Sequence, residues 1–178
     1  ANDKIQLAAA GALSLTGAQT FQFNLTDGTL GAGTYSLIET TGTGSASSIS
    51  FASNLPSGAR QTFAFSRNSS GTSPGYVRLV VTGSPASLVW KGAAGGAAWD
   101  FATTGLWQNG GSTDLFYNFD AVGFDDTAAS GLVTISAPVS PRTLTVNNST
   151  LAYTFSGDAI TGATQLIKNG SGTLTLSP

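Results

Sequence analysis

Apolar and polar residues alternate along most of this chain, in short bursts separated by turn residues. Gln165-Leu-Ile-Lys-Asn-Gly-Ser-Gly-Thr-Leu-Thr-Leu-Ser-Pro178 is the plainest case. Two alternating runs flank an Asn-Gly-Ser-Gly turn, which reads as strand, tight turn, strand. The same pattern predicts strands in the first half at Ile5–Leu7, Leu13–Leu15, Phe21–Leu25, Tyr35–Ile38, Ile49–Phe51, Phe63–Phe65 and Tyr76–Val81. Tyr76–Val81 is the longest and most apolar of these, so it should lie centrally in its sheet. Further on, strands are predicted at Phe116–Phe119, Val122–Phe124, Leu132–Ile135, Leu144–Val146, Tyr153–Phe155, Gln165–Ile167 and Leu174–Leu176. Almost no amphipathic helix pattern occurs.

Spacing adds architecture to this list. Phe124, Val146 and Leu166 recur about one rung apart, and so do Ile135, Phe155 and Leu176. A period near twenty residues with two or three short strands in each is solenoid spacing. Connections of a few turn residues leave no room for crossover helices. The expectation is a parallel β-helix, one domain over 1–178, each rung burying its inward residues on its neighbours. Residues 1–82 would form less regular rungs, 83–115 a Trp-bearing loop region and 116–178 regular rungs. A β-sandwich is the alternative, because many short strands at even spacing also suit it.

Composition narrows the functions. Charged residues make up 9% of the chain, against roughly a quarter in an ordinary domain. The hydrophobic share of 40% and ten Phe argue against disorder. Net charge is −2 and the seven basic residues are scattered, so no stripe for nucleic acid is present. The chain has no Cys and no His. That removes disulfides, thiolate or imidazole metal sites and His-based nucleophile pairs. No apolar run approaches ~18 residues, so no membrane insertion is predicted. Ala1-Asn-Asp-Lys4 does not read as a signal peptide. The expectation is a mature excerpt cut from something longer.

The segment Lys168-Asn-Gly-Ser-Gly-Thr-Leu-Thr-Leu-Ser177 resembles the autotransporter-associated β-strand repeat. Leu88-Val-Trp90, Trp99-Asp100, Val122-Gly-Phe-Asp-Asp126, Val146-Asn-Asn-Ser149 and Tyr153-Thr-Phe-Ser-Gly157 are similar to passenger regions of large secreted bacterial proteins. The resemblance covers about residues 76–178. It implies a right-handed β-helix and a secreted or cell-surface location, and it implies no chemistry. In architecture the chain is also similar to β-helical non-catalytic carbohydrate-binding modules of secreted polysaccharide-degrading proteins.

Candidate chemistry concentrates in 90–117, where all three Trp of the chain lie. Sugar rings stack their C–H faces on flat aromatics, and their hydroxyls bond to carboxylates and amides. Trp99, Trp107 and Tyr117 are the expected platforms, with Asp100, Gln108, Asn109 and Asp114 as polar partners. Trp90 follows Leu88 at strand spacing and is expected in the core. Stacking that buries ~100 Å² contributes ~2.5 kcal/mol at ~25 cal/mol/Å². A micromolar dissociation constant needs about 8 kcal/mol, so two or three platforms would be required. The bland alternative is that Trp99 and Trp107 close a rung.

Other readings are weaker. Asp100 and Asp114 would make a glycosidase pair at ~5–9 Å separation. Lys91 is the one candidate lyase base near the aromatics. Asp125 and Asp126 suit a turn in which carboxylates cap backbone N–H groups, with calcium as the alternative. Asn147-Asn-Ser149 and Asn169-Gly-Ser171 suit stacked polar turns bonded from rung to rung.

The combined expectation is a non-catalytic module that binds a neutral polysaccharide such as xylan or β-glucan, beside a catalytic domain of the same parent chain. It uses no cofactor and no metal. The alternative is a structural passenger segment of a bacterial surface protein.

Overall fold

Alternation becomes strand wherever it falls on residues that the structure describes. The computed structural model describes residues 5–7, 17–22, 30–40, 49–67 and 75–177, and contains no helix among them. The expected strand Leu13–Leu15 and the end of Phe21–Leu25 lie outside the described residues. The protein is all-β, with several sheets in two compact units.

The first unit holds β1 (Ile5–Leu7), β2 (Gly17–Gln22), β3 (Gly33–Thr40), β4 (Ile49–Asn54), β5 (Thr62–Arg67) and β6 (Tyr76–Thr82). One sheet runs β1-β3-β6-β5, so β6 is central as its length and apolarity predicted. Val77, Leu79 and Val81 alternate into the core from β6, against Ile38 of β3. The pairing departs from the stacked parallel rungs expected over 1–82. β6 is antiparallel to both β3 and β5, while β1 joins β3, and β2 joins β4, in parallel. β5 and β6 are sequence neighbours, and an antiparallel ladder can join neighbours by a short connection.

The second unit holds Ser57–Arg60 and the chain from Pro85 onward. Its strands are β7 (Ser87–Trp90), β8 (Ala97–Trp99), β9 (Trp107–Asn109), β10 (Ser112–Asp114), β11 (Ala121–Asp125) and β12 (Leu132–Ile135). They continue with β13 (Thr143–Asn147), β14 (Tyr153–Gly157), β15 (Gln165–Asn169) and β16 (Leu174–Ser177). From β7 and β8 onward, successive strands of the ladders alternate between two sheets. β7, β11, β13 and β15 pair in parallel in one; β8, β12, β14 and β16 do so in the other. In the first ladder, Val122 lies beside Leu144 and Leu144 beside Leu166, each 22 residues on.

The register corrects two details of the expected columns. Val146 is followed by Lys168, not Leu166, and Phe155 is preceded by Val133, not Ile135. The true step exceeds twenty by two residues. A shift of two keeps a side chain on the same face, so the faces were right and the partners were not. Lys168 therefore occupies an inward column, and its Nζ turns back to the Asn169 and Gly170 carbonyls at 2.6 and 3.0 Å. Phe116–Phe119 is not a strand. Phe119 has a φ of 70°, which breaks the extended run, and only Asn118 makes an isolated bridge.

One core fills the space between the ladders. Leu88, Trp90, Trp99, Val122, Phe124, Val133, Ile135, Leu144, Val146, Tyr153 and Phe155 all point into it and are buried. The turns between strands are closed by polar side chains of the neighbouring rung. Asp126 accepts the backbone N–H groups of Ser149, Thr150 and Leu151 at 2.9–3.1 Å. Asp125 accepts Thr127 N–H at 2.8 Å. These are the capping roles the sequence suggested. Asn148 is buried, and its Nδ2 donates to the Leu151 and Thr173 carbonyls, which ties one turn to the next. At Gly131 a Cβ would fall on the Ala152 carbonyl oxygen, well inside van der Waals contact. The rungs approach so closely there that only glycine fits.

Candidate functional site

The Trp-bearing interruption folds as a hairpin with a two-residue Gly-Gly turn. β9 and β10 pair antiparallel across Gly110 and Gly111, whose φ angles are 54° and 95°. Positive φ at both central residues is the type I′ pattern, which suits the twist of a tight hairpin. β9 in turn pairs antiparallel with β7, with Trp107 opposite Trp90.

That pairing decides where the tryptophans go. Trp99 is 0% exposed and Trp107 is 2% exposed. They are core residues, which corrects the expectation of an exposed platform. Trp107 sits edge-on to Trp90 at 4.8 Å and to Trp99 at 5.4 Å; Trp99 meets Phe116 at 5.3 Å and Phe124 at 5.5 Å. The physical cause is apolar area: a hairpin laid on the ladder leaves no better place for its largest side chain. The indole N–H groups of Trp90 and Trp99 are buried without an acceptor.

The remaining candidates divide. Asn109 and Asp114 do come together, with Asn109 Nδ2 donating to Asp114 Oδ2 at 3.0 Å. Gln108 instead donates to the Gly111 carbonyl at 3.2 Å, within its own turn. Asp100 accepts the N–H of Thr104 at 3.0 Å and also the Thr104 hydroxyl, which closes its own loop. Tyr117 is half-buried, meeting Phe101 edge-on at 5.6 Å. Lys91 donates to the Thr127 hydroxyl at 2.5 Å.

Arg60 is the residue that organises this surface, and nothing in the local sequence marked it. Its Nε donates to both oxygens of Asp120 at 2.9–3.0 Å. Its Nη2 reaches Asp114 Oδ2 at 3.2 Å and bonds to the Leu115 carbonyl. The guanidinium carbon lies 4.7 Å from the Tyr117 ring centroid. Asp120 is fully buried and also accepts Ala86 N–H at 2.7 Å and Tyr117 N–H at 3.0 Å. Its burial pushes the carboxyl above the usual value, against the pull of those two N–H groups and of Arg60. Asp114 is pushed up by burial too, but Asn109, the Leu115 N–H and Arg60 outweigh it and hold its carboxyl low. A carboxylate held low and already paired with a guanidinium is a poor general acid, which weighs against the glycosidase reading of Asp100 and Asp114. No group of three metal-ligating side chains occurs among the described residues.

A groove of about 480 Å³ crosses the outer face of β8, β12 and β14. Gly96, Ala98, Leu132, Thr134 and Ser156 line it, with no ionisable or aromatic side chain. It offers hydroxyls and one exposed leucine, and no acid–base pair.

No protein family, curated protein or solved structure matches the chain.

Proposed function

We propose that this chain is a structural segment of a secreted or surface-exposed bacterial protein. On this reading its second unit is a stretch of right-handed parallel β-helix, and its contribution is stiffness and reach. Parallel crossovers in one sheet are right-handed in nearly all known cases, and the two ladders step by 22 residues at β11, β13 and β15. The single observation that carries the functional reading is the burial of Trp99 and Trp107. The features that looked like a ligand platform serve the core instead. The resemblance of Lys168–Ser177 to the autotransporter-associated repeat supports the same reading and the extracellular location. The role is mechanical, without catalysis or cofactor.

Solenoids are modular, since each repeat contacts only its neighbours. The test is to duplicate Thr143–Thr164, the 22 residues that separate β13 from β15 in register. A helical stack accepts the extra rung, keeps its strand circular dichroism and lengthens in small-angle scattering. A sandwich cannot place it, and loss of cooperative unfolding in the duplicated chain would overturn the proposal.

A further inference from the structure

We propose that a notch over Gly58, walled by Phe101 and Asn118, binds one unit of a neutral saccharide. Phe101 is 39% exposed, the one aromatic among the exposed large hydrophobic residues described. Gly58 has a φ of 72°, and a Cβ there would meet the Phe101 ring at 3.0 Å and Asn118 Nδ2 at 2.8 Å. The missing side chain thus leaves a space between a ring edge and an amide. Asn118 Oδ1 accepts Ser140 N–H at 3.0 Å, and that bond fixes which end of the amide faces the notch. The NH₂ end is presented beside the ring, a donor next to an apolar wall.

Charge selects among ligands. Arg60 is held by Asp114 and Asp120, so the surface next to the notch carries two carboxylates against one guanidinium. A polyanion is disfavoured there, and a neutral ring with an apolar C–H face and free hydroxyls is favoured. The backbone gives an independent sign. Ala102 and Phe119 are the non-glycine residues with left-handed φ among the described residues, at 50° and 70°. Each directly follows a residue that walls the notch. Strained backbone of this kind gathers at ligand-binding positions. With one aromatic face the affinity belongs in the millimolar range, and avidity along a polymer would raise it.

Affinity electrophoresis on soluble β-glucan and xylan, with polygalacturonate as the anionic control, tests this. Wild type is expected to be retarded on a neutral polymer. Phe101→Ala and Gly58→Ala should each weaken that retardation about tenfold, with urea midpoints that show both variants folded. A titration of wild type with tens of millimolar neutral oligosaccharide should shift the Phe101 ring and Asn118 side-chain amide resonances. Absence of retardation and of those shifts overturns the site. Retardation unaltered in both variants, or stronger on polygalacturonate, overturns it as well. Either failure leaves the mechanical reading intact, because that rests on the ladders.

Discussion

Replacing Trp99 separates a core role from a binding role. Its ring is fully buried, with Trp107, Phe116, Phe124 and Phe155 at centroid distances of 5.3–6.2 Å. Trp99→Ala empties the space among four rings that cannot all collapse into it. Such truncations destabilise by about 3–5 kcal/mol. In a unit of about a hundred residues each kcal/mol moves the melting temperature by roughly 4–8 °C, so a fall of at least about 12 °C is expected. Trp99→Phe sharpens the argument. It removes roughly 40 Å³, worth about 1 kcal/mol at ~24 cal/mol/Å³. It also removes a buried N–H that lacks an acceptor, a group whose burial costs about 1–3 kcal/mol. The two terms offset, and Trp99→Phe should lie near wild type. Urea denaturation followed by circular dichroism reads both variants, and acrylamide quenching of wild type should be weak. A Trp99→Ala midpoint equal to wild type, or Trp99→Phe as damaging as Trp99→Ala, would refute the reasoning.

Three further outcomes follow from the same packing. Arg60→Ala leaves the buried Asp120 carboxylate without its guanidinium and should cost about 3 kcal/mol in urea unfolding, with Arg60→Lys recovering only part of it. Asp126 is held below the usual carboxylate value by the N–H groups of Leu151 and Thr150, against a smaller upward push from burial. A carboxyl depressed in the fold stabilises above its unfolded value and loses that contribution as pH falls through the folded one. Asp126→Asn should therefore be less stable than wild type at neutral pH, and the gap should close below about pH 4, as read by melting temperature against pH. A gap that stays constant to low pH counts against the capping role. Gly131→Ala forces a Cβ onto the Ala152 carbonyl, whereas Gly110→Ala meets nothing within 4 Å and carries only the strain of its φ. The first should prevent cooperative folding, and the second should cost about 1 kcal/mol; equal effects would refute the close approach of the rungs.

The exposed leucines of the ladders also follow from the register. Leu166 and Leu176 continue the columns of Leu144 and Phe155, yet each is 47% exposed. They lie on β15 and β16, which border their sheets. Edge strands are commonly guarded by charge, Lys above all, and Lys168 occupies the inward column beside Leu166. Its ammonium is satisfied by turn carbonyls rather than by an acid.

The sequence alone was enough to locate most strands and nearly all turns, because both are local. Period-two alternation and Asn, Gly, Ser and Asp at the breaks specify them within a few residues, as at β11 to β16. It also put Phe116, Trp90 and the capping aspartates in their places. The hairpin β9–β10 was legible in Asn109-Gly-Gly-Ser112, but three-residue strands leave too little alternation to read. What the tertiary structure decided was partnership. Antiparallel pairing in β3, β6 and β5, the step of 22 rather than twenty, and the inward face of Trp107 all depend on which distant strand lies alongside. Arg60 is the sharpest case. It meets Asp114 and Asp120 across more than fifty residues, and no local pattern records a partner that far away. A strand's alternation states that one face is buried; only the neighbouring strand determines what covers it.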